Sequence, residues 1–380
     1  MHILLLNYEY PPLGGGAGIV SQQLAAEFIN SGIPVTIITT WFEGLKEVET
    51  HGLLTIYRLK SLRKKTFQSN PIEMLSWCYH CILFLKKNKI TTPNTVCLTN
   101  FLIPGGIVGY WLKRTTGVSF HVVSHGHDIP WFSPKQMWWY HFLLYPVLFF
   151  LGKKAKSIIH LSTPLKKNAD NFLGKKNKQK NIVIPNGISK NEIINTPKPT
   201  NTIIKALFVG RLVDQKDPLS AIKAMSILAK KNIQISLTII GDGELKKEIE
   251  NYVSANNLSS VILLGKLDRE TVLKKMSEAD LLIAPSREEA MSIAILEAIA
   301  QKLFVITTPA ADLEKLIATY NCGAYVPLSN PTAIADAIQS FRENIFNKKP
   351  VISNENYQNF IDNYCWENIA AQYIATLSKN

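Results

Sequence analysis

Cysteine is sparse in this chain. Five residues in 380, Cys78, Cys81, Cys97, Cys322 and Cys365, form an odd and scattered set that rules out a disulfide-stapled fold and fits a reducing compartment. Cys78 and Cys81 make a C-x-x-C, but they sit in an apolar, aromatic stretch with no strand before them and read as helix packing. Long hydrophobic runs are also lacking. The most apolar stretch, Trp138 to Leu151, carries Pro146 and falls short of the roughly 20 residues a spanning helix needs. The start, Met1-His2-Ile3-Leu4-Leu5-Leu6, has no basic region and too short an apolar core for a signal peptide, so it reads as a buried strand. Low-complexity tracts and internal repeats are absent. So are a P-loop, a G-x-G-x-x-G fingerprint, a D-x-D and any His/Asp cluster with metal spacing, so the expected chemistry uses no metal and no cofactor beyond its substrate.

Acidic residues are scarce in the first half alone. Met1 to Lys190 holds 22 Lys or Arg against 8 Asp or Glu, net +14, whereas the remainder holds 20 against 21, net −1. The excess gathers at Arg63-Lys64-Lys65, Lys86-Lys87, Lys153-Lys154 and Lys175 to Lys180. Such runs can hold an anionic membrane surface, attract a phosphate-bearing substrate or simply be solvated faces. Nothing resembling a nucleic-acid module accompanies them, so nucleic acid is not an expected partner. Trp131, Trp138, Trp139, Tyr140 and Tyr145 lead up to Lys153 and Lys154, a mixture that suits a lipid headgroup interface or ordinary packing.

What is present is an alternation of strand-length apolar runs with helical patterns, the mark of parallel sheets covered by helices. Ile3–Leu6, Val35–Thr39, Thr95–Leu98, Phe120–Ser124, Ser157–Leu161 and Asn181–Ile184 read as strands, with a helix over Gly18 to Ser31. The polar stretch Ser189 to Thr202, with Pro197 and Pro199, has linker composition. Beyond it the pattern restarts at Ile203–Val209, Ser236–Ile240, Val261–Leu264, Leu281–Ala284, Phe304–Thr307 and Gly323–Pro327. At 380 residues two domains are the natural division, 1–195 and 196–355, followed over 356–380 by a helix with an apolar stripe at Trp366, Ile369, Ala370, Tyr373 and Ile374.

Three clusters carry chemistry. The first strand leads into Gly14-Gly15-Gly16 and then a helix, where Gly15 and Gly16 could bring backbone N–H groups close to an anion. The strand that opens the second domain leads into Gly210-Arg211, with Lys216 close behind. Arg211 and Lys216 would meet phosphate oxygens with a planar fork and a point charge. Glu289 follows a strand and Glu297 sits inside an otherwise apolar helix, where a charge needs a partner. Sugar hydroxyls or a neighbouring Lys or Arg would serve these acids. The backbone N–H groups of Met291, Ser292 and Ile293, near the helix start, are placed for a diphosphate.

These segments resemble the family 4 retaining glycosyltransferases of GT-B architecture. Glu289 to Glu297 is similar to that family's E-x7-E, and Gly210-Arg211 with Lys216 to its G-R-x4-K. His125-Gly126-His127-Asp128, Ile184-Pro185-Asn186-Gly187 and Gly241-Asp242-Gly243 are similar to its H-G, P-N-G and G-D-G segments, in the same order over about residues 1 to 330. The resemblance implies an α/β fold of two Rossmann-like doubly wound domains facing across a cleft, with a C-terminal helix that crosses back to the first. It implies transfer of a hexosyl group from a UDP- or GDP-sugar held by the second domain to a glycan or lipid-linked acceptor held by the first. Glu289 and His125 would lie at the donor sugar, Glu297 at the ribose, and Arg211 with Lys216 at the diphosphate. A role in bacterial surface polysaccharide synthesis, such as lipopolysaccharide, and a cytoplasmic place on the inner face of the plasma membrane follow by the same analogy.

The chain departs from the family in two places. Where A-x-G-x-P-V-I is common it has Ala300-Gln301-Lys302-Leu303-Phe304-Val305-Ile306. The usual G-G-x-x-E is Ala310-Ala311-Asp312-Leu313-Glu314. Altered geometry or donor preference is the expected consequence. The rival reading is a membrane-associated scaffold that keeps the fold without the chemistry.

Overall fold

The structure, a computed structural model, describes residues 1–66, 69–130, 134–194, 203–346 and 351–379. Trp131 and the part of the proposed linker from 195 to 202 lie outside the described residues. The chain divides into two compact units, Met1–Asn186 with Trp366–Asn380, and Gly187–Cys365.

The first unit runs β1 (His2–Leu6), α1 (Gly16–Asn30), β2 (Val35–Thr40), β3 (Val48–His51), β4 (Leu54–Leu59), α2 (Pro71–Lys87), β5 (Thr95–Asn100), α3 (Gly106–Thr116), β6 (Phe120–Ser124), α4 (Pro134–Lys154), β7 (Ile158–His160), α5 (Thr163–Leu173) and β8 (Asn181–Val183). Its sheet has the order β3-β4-β2-β1-β5-β6-β7-β8, parallel throughout except for the β3–β4 hairpin. That hairpin was not among the expected strands. Val48–His51 is a largely exposed edge with no apolar alternation to announce it, and β4 buries the charged Arg58, held at 2.8 Å by Glu49 of β3.

Local chemistry explains the helices. In α2 Pro71 opens the first turn, and Asn70 and Glu73 form a reciprocal capping box. Trp77, Cys78, Cys81 and Leu85 then recur at helical spacing and enter the core beneath the sheet. Among the described residues no cysteine is in a disulfide, and burial pushes Cys78 up to about 12. Crossovers of parallel strands are right-handed, so strands laid out in this order put α2, α3, α4 and α5 on one face of the sheet and α1 on the other.

The second unit runs β9 (Ile204–Val209), α6 (Pro218–Lys230), β10 (Ile235–Ile240), α7 (Lys246–Ala255), β11 (Val261–Gly265), α8 (Arg269–Glu278), β12 (Leu281–Ala284), α9 (Ile293–Ala300), β13 (Phe304–Thr307), α10 (Leu313–Tyr320), β14 (Gly323–Tyr325), α11 (Pro331–Phe346) and α12 (Asn354–Tyr364). Its six strands are all parallel, in the order β11-β10-β9-β12-β13-β14. The G-D-G turn has a steric reason. Gly241 has φ +149°, and a Cβ there would be driven into the Gly210 carbonyl.

The single helix expected over Asn356 to Ser378 is two helices, α12 and α13 (Trp366–Leu377). Cys365 between them is extended and pairs as a β-bridge with Ile188, while the Ile188 N–H donates to the Tyr364 carbonyl at 2.8 Å. At that break the chain returns to the first unit, where α13 packs on α1. The forward division falls at Asn186–Gly187, earlier than the expected break after 195, because Glu192 and Ile194 bond to Arg269 and Gln301 of the second unit.

Both family departures fall on left-handed backbone. Lys302 has φ +56° and Ala311 has φ +54°. At the end of α9 the Leu303 N–H reaches the Ala298 carbonyl and the Lys302 N–H the Ile299 carbonyl, both at 2.9 Å, which is the bonding of a Schellman cap. The loop shapes that suit glycine are therefore retained without it, at the steric cost of a Cβ in left-handed space. Ala311→Gly should stabilise the protein by about 0.5–1 kcal/mol, the steric relief exceeding the added freedom of the unfolded chain. Thermal unfolding checks this, and a fall in midpoint would contradict the account.

Candidate active site

In each sheet the strand order reverses at one point, and the loops on either side of it leave a crevice at the strands' carboxyl ends. In the second unit this point lies between β9 and β12. The loop after β9 carries Arg211 and Lys216, and the loop after β12 carries Glu289 to Ser292, with Ile293 opening α9.

Hydrogen bonds and ion pairs stitch these two loops together. The Arg287 N–H donates to the Gln215 carbonyl at 2.8 Å, and the Gln215 side-chain amide donates to the Glu288 carbonyl at 3.2 Å. Arg287 pairs with Asp214 at 3.0 Å, and Lys216 donates to Glu289. Glu289 is buried and also accepts from Ser286 Oγ at 3.0 Å, while Lys216 keeps 21% of its side chain exposed. Arg211 is exposed, held by Gln215 Oε1 at 3.1 Å. Arg211, Lys216 and Glu289 therefore belong to one constellation. Lys216, expected at a phosphate, is ion-paired to Glu289, expected at a sugar.

Ser292 caps α9 without a side-chain hydrogen bond, so the helix opens with its first N–H groups toward the same loop; Met291 beside it is buried. Glu297 lies one turn further in, on a surface that is otherwise apolar. Arg269 of α8 approaches it to 2.6 Å without hydrogen-bond geometry and forms a fork on Glu192, at 2.8 and 2.6 Å. Burial raises Glu297 to about 7, against the opposing pull of Arg269.

In the first unit the reversal lies between β1 and β5. His125, after β6, donates from Nε2 to Asn100 Oδ1 at the end of β5, 2.8 Å away, a tautomer fixed by that acceptor. Asn100 Nδ2 donates to Ser21 Oγ at 3.0 Å, and Asn7 Nδ2 donates to the same oxygen at 2.8 Å and to the Ala17 carbonyl at 3.3 Å. One chain of neutral hydrogen bonds thus links His125 to the start of α1. His125 keeps part of its surface open, yet the protein packed around it pushes its pKa down to about 3, so the ring is neutral and leaves Nδ1 as an acceptor. Phe101 beside it has φ +63° and tilts its ring over the imidazole, centroids 4.8 Å apart.

The glycine loop is shaped by a carboxylate. Gly14 has φ +83°, and a Cβ there would collide with Glu9, whose Oε2 accepts the Gly15 N–H at 3.4 Å. A Cβ on Gly15 would meet nothing, so the space beside it is open to a ligand, and Gly16 begins α1. An anion at this loop would have Glu9 as a neighbour.

Sequence reasoning missed Asn7, Ser21, Asn100, Glu192, Gln215 and Arg269. Asn7 and Asn100 were signalled only by ending, or following, a strand at its carboxyl end. Arg269 and Glu192 gave no signal, because their relation to Glu297 is made by the fold.

Two doubly wound sheets with these loops at their reversal points make up the architecture of the GT-B fold. Solved structures agree. Sucrose-phosphate synthase from Thermosynechococcus elongatus aligns with a TM-score of 0.82 at 19% identity, covering 98% of this chain and 97% of that one. HepE from Anabaena, in complex with UDP and glucose, aligns with a TM-score of 0.76 at 16% identity over 100% of both chains. An uncharacterized glycosyltransferase of Methanocaldococcus jannaschii is 29% identical over 269 residues, 71% of each chain. The profile of glycosyl transferases group 1 matches residues 189–360 and that of glycosyltransferase family 4 matches 14–192, and the chain belongs to this family.

The Lys216–Glu289 pair is coupled and mostly buried. Lys216→Met alone should destabilise the protein by about 1–3 kcal/mol, and pairing it with Glu289→Gln should recover most of that loss. Additive losses in a double-mutant cycle of urea unfolding would show that the two side chains do not interact.

Proposed function

We propose that this glycosyltransferase moves a hexosyl group from a UDP- or GDP-sugar to a glycan or lipid-linked acceptor with retention of anomeric configuration, in the synthesis of a bacterial surface polysaccharide. The observation that carries the reading is the convergence of Arg211, Lys216, Glu289 and the start of α9 at the reversal point of one sheet. The UDP and glucose bound by HepE, which shares the fold, support a nucleotide-sugar as donor.

The chemistry follows from charge. As the C1–O bond to the diphosphate breaks, its electron pair passes to the departing phosphate oxygen and the sugar becomes oxocarbenium-like. Arg211, Lys216 and the α9 amides offset that growing negative charge. The acceptor hydroxyl oxygen then bonds to C1 on the same face, and its proton goes to the departing phosphate. These groups supply the positive field from the chain itself, so the reading needs no metal. On donor binding, Lys216 exchanges Glu289 for a phosphate oxygen, which frees Glu289 for sugar hydroxyls. Neutral His125 offers Nδ1 to a sugar hydroxyl, and Glu297 accepts from the ribose.

Arg211→Ala and Glu289→Gln should each lower kcat/KM by at least about a hundredfold while leaving the unfolding midpoint within a few degrees. Wild-type turnover in either would sink the site assignment. The scaffold alternative fails if UDP- or GDP-sugars raise the melting temperature, and it gains if none does.

Glu297 adds a pH dependence. Its folded value lies above that of an unfolded carboxyl, so its contribution to stability is complete in acid and is lost as pH rises toward 7. The ionised form is the one that accepts a ribose hydroxyl. Nucleotide-sugar affinity should therefore strengthen as pH climbs through about 7, and Glu297→Gln should flatten that dependence. Calorimetric titration of both proteins across this window decides it, and parallel profiles would contradict the assignment.

A further inference from the structure

More than half of the large apolar side chains exposed among the described residues lie on just two helices, α2 and α4. On α2 they form one stripe, Ile72, Leu75, Tyr79 and Leu83, on the side away from the buried Trp77, Cys81 and Leu85. On α4, Trp139, Phe142, Leu143 and Phe150 do the same, with Phe142 74% and Leu143 77% exposed, opposite the buried Leu148 and Leu151. A helix face that repeats aliphatic and aromatic residues outward is not explained by the core it covers.

The two stripes share one layer. Helix α3 packs between α2 and α4 on the same face of the sheet. Half-buried Tyr110 and Trp111 of α3 fill the space between, Tyr110 edge-on to Phe150 at 4.9 Å and Trp111 under the Lys86 ammonium at 6.0 Å.

Charge selects the occupant. The three helices end in Lys86-Lys87, Lys113-Arg114 and Lys153-Lys154, and the one acidic residue in all three, Glu73, is buried in its capping box. At the end of α4 the lysines crowd. Lys113 donates to the Lys154 carbonyl at 2.9 Å and Lys180 to the Lys153 carbonyl at 2.6 Å. Burial, and then the neighbouring Lys113, Lys154 and Lys153, hold Lys180 below the usual lysine range. No exposed carboxylate on these helices relieves that repulsion. A second copy of this chain would bring the same cations to the same surface, whereas anionic lipid headgroups would neutralise them.

We propose that the outward faces of α2 and α4 form a two-helix platform that docks on an anionic lipid bilayer. The aromatic and aliphatic stripes enter the headgroup–acyl boundary, and the basic helix ends meet lipid phosphates. Bridging by the half-buried rings of α3 makes the platform one continuous surface. Binding then sums two rows of apolar side chains with the basic ends, which is the kind of two-part anchoring that stable attachment requires. Exposure and charge define this surface independently of the sugar chemistry.

Flotation of the full chain with phosphatidylcholine vesicles, with and without phosphatidylglycerol, tests the platform. The wild type should float with the anionic vesicles, several-fold less with the neutral ones, and less in high salt. Leu75→Ser/Tyr79→Ser on α2 and Trp139→Ser/Phe142→Ser on α4 should each cut anionic co-flotation about tenfold, with the unfolding midpoint unchanged. Lys153→Glu/Lys154→Glu should cut it several-fold. Wild-type co-flotation in the α2 variant would remove α2 from the surface and overturn the two-helix proposal. Self-association that the serine variants abolish, without vesicle binding by the wild type, would assign the face to a second copy instead. A readout that needs no variant is quenching of the wild-type tryptophan fluorescence by brominated anionic lipid, expected through Trp138 and Trp139. Absence of quenching would overturn the proposal.

Discussion

The constraint from which the site follows is the reversal of strand order within a parallel sheet. Crossovers are right-handed, so β9 sends its chain to one side and β12 receives its chain from the other, which leaves a crevice at the carboxyl ends of that pair. Backbone groups that would bond within a strand must find partners in loops there. The Arg287 N–H and the Glu288 carbonyl do so through Gln215, which makes one rigid frame of two loops far apart in sequence. Arg211, Lys216 and Glu289 are mounted on that frame. In the first unit the same reversal, between β1 and β5, sets Asn7 and Asn100 close enough to share the Ser21 hydroxyl.

The candidate site satisfies its charges internally. Glu289 and Glu297 are both buried, and each has a cation against it, Lys216 in one case and Arg269 in the other. Burying either carboxylate alone would cost several kcal/mol, so the pairs make these acids tolerable where they stand. They differ in how firmly they are closed. Glu289 accepts two donors, Lys216 and Ser286, whereas Glu297 has a cation near it without a directed hydrogen bond, and Arg269 spends its fork on Glu192.

The fold was legible where strands are buried on both faces. Continuous runs such as Ile3–Leu6 and Leu281–Ala284 need no partner pattern to be recognised, and they appear in the sheets. The hairpin of β3 and β4 escaped because an exposed edge strand carries no such run and an ion-paired Arg58 disguises the buried side of β4. The break at Cys365 escaped for a related reason. The stripe Trp366, Ile369, Ala370 and Tyr373 is continuous in phase with helix, and only the bridge to Ile188, a contact distant in sequence, shows where the helix stops. Of the candidate site, the motif residues could be found by spacing. Their partners could not, since Arg269 reaches Glu297 only after α8 and α9 have packed.

Lys302 and Ala311 stand where the family's pattern has glycine. A loop that replaces glycine can shed its left-handed residue and change course, or it can keep the conformation and bear the steric cost. Lys302 and Ala311 have taken the second course. Lys302 also stacks its ammonium 4.5 Å from the Tyr357 ring, whose hydroxyl donates to the Ala300 carbonyl at 2.8 Å, so the substituted side chain is itself used to fasten the end of α9. That helix carries Glu297 and aims its first amides at the Glu289 loop. Lys302 so holds the end of α9 in the shape a glycine cap would give, and Ala311 keeps the left-handed turn that leads into α10, which leaves the helix carrying Glu297 in register with the Glu289 loop.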